Sequence, residues 1–154
     1  MKILIYNSGG GLGDSIQLFN LIYSLNLKFE NSQIWYLGAH ENHFQNSLKE
    51  YNIKTKTYDL GLKYFGFRWK HLFQVQNKLK NDLNINFDLI IDLQSKFRNT
   101  LILKKIKSKI FYSPTLNFSF SSEKKNYISA KNNIDNILLN LEKLLEINIP
   151  LINY

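Results

Sequence analysis

The chain has 154 residues, a formal net charge of +8, 44% hydrophobic residues and no cysteine. These values predict one globular domain with a buried core and exclude disulfides, thiolate metal sites and a disordered chain. No apolar run reaches the roughly 18 residues of a membrane-spanning helix, and the N-terminal apolar run is too short for a signal peptide. We therefore expect a protein of a reducing compartment, the cytoplasm.

The chain begins with a predicted strand, a glycine-rich turn and a predicted helix. Lys2 to Tyr6 is typical of a buried strand, and Ser15 to Leu27 has the apolar spacing of a helix. Four glycines lie between them, namely Gly9, Gly10, Gly11 and Gly13. A strand, a glycine turn and a helix N-terminus attract anions, because the first helical N–H groups have no partner within the helix.

The chemistry of Asp14 argues against an ordinary dinucleotide site. A G-x-G-x-x-G pattern can be placed on Gly9 and Gly11, but its third position is then Asp14, and a carboxylate there would repel a pyrophosphate. Two interpretations stay open from the residue types. Asp14 acts as a general base that accepts a proton from a substrate hydroxyl, or it only caps the helix.

The middle of the chain predicts two further strands and a helix. Gln33 to Leu37 and the more polar Ile53 to Tyr58 predict strands, the second at an exposed edge of the sheet. A helix-like segment from about residue 42 to 51 lies between them, with three ring or apolar side chains on one stripe: Phe44, Leu48 and Tyr51.

Aromatic and basic residues alternate in the loop that follows. Its aromatic side chains can stack on bases or sugars or lie at a membrane interface, and this choice stays open for Tyr64, Phe65 and Phe67. We interpret the next segment as a helix that faces the core, with Phe73 beside a stripe of Trp69, Leu72, Gln76, Leu79 and Leu83.

The second strong element is the apolar run from Phe87 to Gln94. Its consecutive Leu89, Ile90 and Ile91 are typical of a central parallel strand that is covered on both faces. The polar loop Gln94 to Arg98 follows it. The rest of the chain predicts a short helix at Thr100–Ile106 and a fifth strand at Lys109–Tyr112. A basic loop, Pro114–Tyr127, and an amphipathic helix, Ile134–Leu145, follow.

Alternating strands and helices predict an α/β fold with a Rossmann-like, doubly wound parallel sheet. In the strand order 3-2-1-4-5 the first and fourth strands are neighbours, and ligands bind beyond their carboxyl ends at this switch point. The segments Gly9–Asp14 and Gln94–Arg98 would then line one crevice, which favours the general-base interpretation of Asp14.

Positive charge is concentrated in the second half of the chain. Nine basic residues lie between Gln94 and Lys131, against a single acid, Glu123: Lys96, Arg98, Lys104, Lys105, Lys107, Lys109, Lys124, Lys125 and Lys131. Such a stretch indicates either an anionic partner or a solvated basic surface.

Two motifs together resemble the glycosyltransferase family 9 heptosyltransferases. They are Gly11-Leu12-Gly13-Asp14-Ser15 after the strand Lys2-Ile3-Leu4-Ile5, and Asp88-Leu89-Ile90-Ile91-Asp92-Leu93-Gln94-Ser95 with Arg98. The resemblance covers nearly all of the chain and is to the N-terminal domain of the family. It differs in the three glycines before Leu12 and in Ser95, where the family often has glycine.

The resemblance implies a GT-B glycosyltransferase that transfers a sugar with inversion and without a metal ion or cofactor. Residues 1–154 would be the acceptor-side domain, and the donor-binding C-terminal domain would be missing. The chain would then be a fragment, a half-enzyme that works with a partner, or a protein that has lost activity. Asp14 would be the catalytic base, Ser8 and the backbone of Gly9, Gly10, Gly11 and Gly13 would shape the acceptor corner, and Gln94, Lys96 and Arg98 would lie near it.

The partners implied are a nucleotide sugar of the ADP type and an anionic glycolipid acceptor of the lipopolysaccharide core or a related surface glycan. The resemblance also implies contact with the cytoplasmic face of the inner membrane and no nucleic acid. The alternative from the residues alone is a basic Rossmann-like module that binds a nucleotide or an anionic polymer without catalysis. The three histidines, His40, His43 and His71, have no metal-ligand spacing.

Overall fold

The structure is a computed structural model that describes residues 1–9, 11–80, 84–130 and 133–152. Five parallel strands form one sheet in the order β3-β2-β1-β4-β5. The strands are β1 (Lys2–Asn7), β2 (Gln33–Gly38), β3 (Lys56–Thr57), β4 (Phe87–Asp92) and β5 (Ser108–Tyr112). This confirms the predicted Rossmann-like class and strand order, and it makes β1 and β4 neighbours.

Helices cover both faces of the sheet, as the crossover connections of a parallel sheet require. They are α1 (Leu12–Ile16), α2 (Phe19–Lys28), α3 (His71–Lys80), α4 (Phe97–Leu103), the short α5 (Thr115–Phe118) and α6 (Ile134–Leu145). The core on one face contains apolar side chains of α2 and α6, and the core on the other face contains those of α3 and α4. The central strand residues Ile3 to Ile5 and Leu89 to Ile91 are fully buried between the two layers.

The first helix begins earlier than the sequence predicts and is divided in two. α1 begins at Leu12, and the chain turns at Gln17–Leu18 before α2 continues. The Leu18 N–H bonds the Ser15 carbonyl at 3.0 Å, which tightens the turn between the helices. This early start places Asp14 in the first turn of a helix.

The helix predicted near residues 42–51 is absent from the structure, which has turns there and a single 3-10 turn at Lys49–Tyr51. The Asn42 side chain bonds both the Phe44 N–H and the Thr55 and Thr57 hydroxyls. Such side-chain bonds compete with helical hydrogen bonds and fix a turn instead. Phe44 is nevertheless buried in the core, as predicted, although it lies in a turn and not in a helix.

The prediction that Trp69 and Phe73 face the core is wrong, because these side chains are 54% and 70% exposed. Helix α3 begins only at His71, so the helical period does not apply to Trp69. The buried residues of the helix are His71 and Val75, one turn apart, and Phe73, midway between them, therefore points away from the core. Leu83, the last residue of the predicted stripe, lies outside the described residues.

In the part of the chain that the structure describes, no helix combines the length and the apolar character needed to cross a membrane.

Candidate functional site

A cavity of about 290 Å³ opens beyond the carboxyl ends of β1 and β4, at the switch point of the sheet. The loop after β1, the loop after β4, α1 and α6 form its walls. Five of the residues predicted from the sequence line it: Ser8, Gly9, Asp14, Gln94 and Lys96. The two loops that are more than 80 residues apart in sequence therefore meet at one site, as the strand order predicted.

The Asp14 carboxylate is held at the N-terminus of α1 by one of its two oxygens. Asp14 Oδ2 accepts a hydrogen bond from the Gly11 N–H at 3.2 Å. Gly11 is the N-cap residue and has no side chain, so the carboxylate of Asp14 supplies the capping bond at this end. Oδ1 makes no hydrogen bond within the described ranges, and the side chain is exposed. The capping and general-base interpretations of Asp14 are therefore compatible.

Gly9 lies against the Asp14 side chain. A Cβ atom at position 9 would be 2.5 Å from Asp14 Oδ2 and 2.8 Å from its Cγ. Only glycine leaves room for the carboxylate in this position, because real Cβ contacts below 3.0 Å are essentially absent from proteins. Because Gly9 has no side chain, the Asp14 carboxylate can lie against the backbone of the glycine turn.

Asn7 ties the two loops together, a role that was not predicted from the sequence. Its Oδ1 accepts hydrogen bonds from the Gly9 N–H at 3.0 Å and from Gln94 Nε2 at 3.1 Å. Two donors on one oxygen assign the orientation of the Asn7 amide. Its Nδ2 has no partner among the described residues, and Asn7 lines the cavity, so this nitrogen is available to donate to a ligand oxygen. The sequence signal that could have indicated this role is the position of Asn7, a polar residue at the end of a buried strand.

Asp92 supports the loop after β4 from below. This residue is fully buried, and its Oδ1 accepts from the Gln94 N–H at 2.9 Å. Its Oδ2 accepts from the Thr100 and Ser113 hydroxyls at 2.6 and 2.8 Å. Burial raises the pKa of the Asp92 carboxyl to about 6, against the lowering effect of these hydrogen bonds. Asp92 therefore fixes the backbone that carries Gln94.

Arg98 holds a third loop rather than lining the cavity. Its Nε donates to the Gly66 carbonyl at 2.8 Å, and the Gly66 N–H donates to His71 Nδ1 at 3.2 Å. Burial and nearby cations lower the pKa of His71, which keeps the imidazole neutral and able to accept this bond. Phe67, the next residue of the loop, lines the cavity, and Lys96 Nζ lies 5.7 Å from the centre of its ring.

The other predicted site residues contribute in different ways. Gly11 caps α1, Gly13 lies exposed within α1, and neither lines the cavity. Gly10 lies outside the described residues, as does Lys131.

Two of the basic residues of the second half are paired with acids. Lys109 pairs with Asp88 at 2.7 Å, and Lys125 pairs with Glu146 at 2.6 Å and Glu123 at 3.0 Å. Lys96 is the one among the described members of this group that lines the cavity. The cation that a cavity ligand would meet is therefore Lys96.

The structure closely resembles three solved structures, although no protein-family profile and no curated protein matches the sequence. The glycosyl transferase family 9 protein from Veillonella parvula DSM 2008 is 19% identical, with a TM-score of 0.64 over 93% of this chain and 41% of that chain. E. coli heptosyltransferase WaaC with ADP-2-deoxy-2-fluoro heptose is 12% identical, with a TM-score of 0.66 over 99% of this chain and 51% of its own. The same enzyme with ADP is 13% identical, with a TM-score of 0.67 over 99% of this chain and 50% of its own.

The chain thus spans about half the length of the structures it matches. The resemblance seen in the sequence motifs is confirmed for the fold: this chain has the architecture of one half of a GT-B heptosyltransferase.

Proposed function

We propose that this chain is the acceptor-side half of a family 9, heptosyltransferase-like glycosyltransferase. One observation carries the proposal. On a fold shared with these enzymes, the cavity at the switch point contains a carboxylate with one oxygen held and the other available, Asp14, beside the hydrogen-bonding amides of Asn7 and Gln94.

In the proposed reaction, Asp14 accepts the proton of an acceptor hydroxyl as the hydroxyl oxygen attacks the anomeric carbon of the donor sugar. The new carbon–oxygen bond forms on the side of the anomeric carbon opposite to the nucleotide diphosphate, as the bond to that group breaks. The leaving group departs with the electron pair, and attack from the opposite side inverts the configuration. The reaction needs no metal ion for proton removal, and the nucleotide would be held by the second half of a GT-B enzyme. A positioned general base of this kind contributes roughly 10²–10⁴-fold to the rate.

The polar groups of the cavity suit an anionic, hydroxyl-rich acceptor. Lys96 and Asn7 Nδ2 supply donors, and Asp14 and the side-chain oxygen of Gln94, Oε1, supply acceptors. A cation beside hydroxyl-binding groups is the combination that a phosphorylated or acidic sugar requires. We therefore propose a lipopolysaccharide-core or related glycolipid as the acceptor and a nucleotide sugar, of the ADP type, as the donor. This chemistry would take place in the cytoplasm, at the inner face of the membrane.

The test is sugar transfer by Asp14→Asn, with the chain and a donor-binding half present together. Asparagine keeps the size of the side chain and can still accept from the Gly11 N–H, but it cannot take a proton. We expect turnover to fall by roughly 10²–10⁴-fold, while acceptor binding, measured by calorimetry, changes little. The matched control is Asp135→Asn, which removes an exposed acid from the first turn of α6, and we expect wild-type turnover from it.

Wild-type turnover in Asp14→Asn would exclude the general-base role. Absence of transfer in the wild type, together with salt-sensitive binding of generic polyanions, would instead favour a binding module without catalysis.

A further inference from the structure

Exposed aromatic side chains are concentrated in one short stretch of the chain, residues 63 to 73, which we call the aromatic–basic segment. Six aromatic residues of the described chain are strongly exposed, and four of them belong to this segment: Tyr64 at 47%, Phe67 at 41%, Trp69 at 54% and Phe73 at 70%. Large apolar side chains grouped on a surface indicate an interaction site. The occupant has to be inferred from the charges beside them.

The charges of the segment are all positive. Lys63, Arg68 and Lys70 are exposed between the aromatic residues, and from Leu60 to Lys80 the sequence contains no acid. None of these three cations has an ion pair or a hydrogen bond from its side chain within the described ranges. They are therefore available to an external anionic surface.

The segment is held in place from behind. Phe65 is buried, its carbonyl accepts from the Tyr6 hydroxyl at 3.0 Å, and the Gly66 carbonyl accepts from Arg98 Nε at 2.8 Å. A fixed loop presents its exposed rings without a large loss of conformational freedom on binding. Because Phe67 also lines the cavity, whatever covers the segment lies beside the mouth of the candidate site.

We propose that the aromatic–basic segment docks this domain on an anionic lipid bilayer, with Trp69 and Phe73 entering the headgroup region. Amphipathic rings lie at membrane–water interfaces, and basic residues near the surface are attracted by anionic lipids. A second copy of the chain fits less well, because a symmetric contact would place the same unpaired cations against each other. Two parts of this proposal rest on the proposed function: which membrane is bound, and that docking brings a lipid-linked acceptor to the cavity.

The chain contains its own reporter for this contact. It has two tryptophans, and Trp35 lies in β2 with its indole nitrogen buried, whereas Trp69 is in the segment. In the Trp35→Phe variant of the 154-residue chain, Trp69 is the remaining tryptophan, and it can be excited selectively over the nine tyrosines. With vesicles that contain phosphatidylglycerol we expect its emission to shift to the blue and to be quenched by brominated lipid. Phosphatidylcholine vesicles should give a much smaller change, and added salt should weaken binding.

Co-sedimentation with the same vesicles identifies the residues responsible. We expect Trp69→Ser with Phe73→Ser to lower partitioning about tenfold or more. Arg68→Gln with Lys70→Gln should lower it roughly fivefold for each charge. The control for the rings is Leu27→Ser, an exposed apolar residue near the end of α2, and the control for the charges is Lys49→Gln with Lys54→Gln, both exposed. Both controls should bind as the wild type does.

Three results would overturn the proposal: no binding to the anionic vesicles, equal losses in the test and control variants, or a blue shift of Trp69 that grows with protein concentration in the absence of lipid. The last would indicate self-association. None of these measurements requires sugar transfer. The membrane-docking proposal can therefore fail while the general-base role of Asp14 is supported, and the general-base role can fail while membrane docking is supported.

Discussion

Gly9 is the position where a small change should disturb the Asp14 carboxylate without removing it. In Gly9→Ala the new Cβ would be 2.5 Å from Asp14 Oδ2 and 3.1 Å from Asn7 Oδ1. The φ angle of Gly9 is not positive, so alanine meets no backbone strain. The effect therefore comes mainly from the contact with the Asp14 side chain, which is the shortest, with a smaller part from Asn7 Oδ1.

The magnitude follows from what must move. Ordinary contacts of a Cβ begin at 3.4 Å, so the carboxylate has to withdraw by almost an ångström, which breaks its bond with the Gly11 N–H. One such hydrogen bond contributes roughly 0.5–1.5 kcal/mol net. We therefore expect Gly9→Ala to lower the free energy of unfolding by about 1 kcal/mol, or Tm by roughly 2–4 °C for a chain of this size.

Urea unfolding of a double-mutant cycle tests this account. Without the carboxylate the alanine meets only Asn7 Oδ1, so Gly9→Ala should cost much less in the Asp14→Ala background. The matched control is Gly13→Ala, whose Cβ would have no neighbour within 4 Å. It lies inside α1 and should stabilise the chain by up to about 1 kcal/mol. Equal losses for Gly9→Ala in both backgrounds would refute the proposed contact.

Two further substitutions test the supports of the site by urea unfolding. Gly66 has a φ of +89°, and a Cβ there would overlap the Tyr6 hydroxyl, so Gly66→Ala should lower stability by about 3 kcal/mol or more; an unchanged midpoint would contradict this. For Asp92, burial raises the folded pKa to about 6, so the native state keeps a proton that the unfolded chain releases near pH 4. Stability should therefore fall as pH rises from about 4 to 6, by up to roughly 3 kcal/mol, and Asp92→Asn should remove this fall; an identical pH profile in the variant would argue against it.

The sheet and its switch point could be predicted because they depend on local patterns and general rules. The run Leu89-Ile90-Ile91 is apolar without alternation, as a strand covered on both faces requires. Once the strand order is assumed, the loops that begin at Gly9 and Gln94 have to meet. This reasoning found five residues that line the cavity.

The errors arose where a distant or side-chain contact decides the outcome. Asn7 bonds a residue 87 positions away, so nothing near it in the sequence indicates its role. A turn forms at Asn42 in place of the predicted helix, because the Asn42 side chain bonds the hydroxyls of Thr55 and Thr57, at and just before β3. The rings of Trp69 and Phe73 were assigned to the core because periodicity cannot tell where a helix begins, and their exposure is the basis of the membrane proposal.

The hydrogen bonds around the cavity indicate that the proposed acceptor corner is already formed in this half. Asn7 joins the glycine turn to Gln94, Asp92 fixes the backbone of Gln94, and the Gly11 N–H orients the Asp14 carboxylate. Each of these contacts is made by residues of this chain. A group that is held before the substrate arrives loses little freedom when it reacts, which is one way in which a scaffold accelerates a proton transfer. In the proposed enzyme, therefore, the second half needs to supply the donor and its leaving-group contacts, while the position of the base is set by the folding of this half alone.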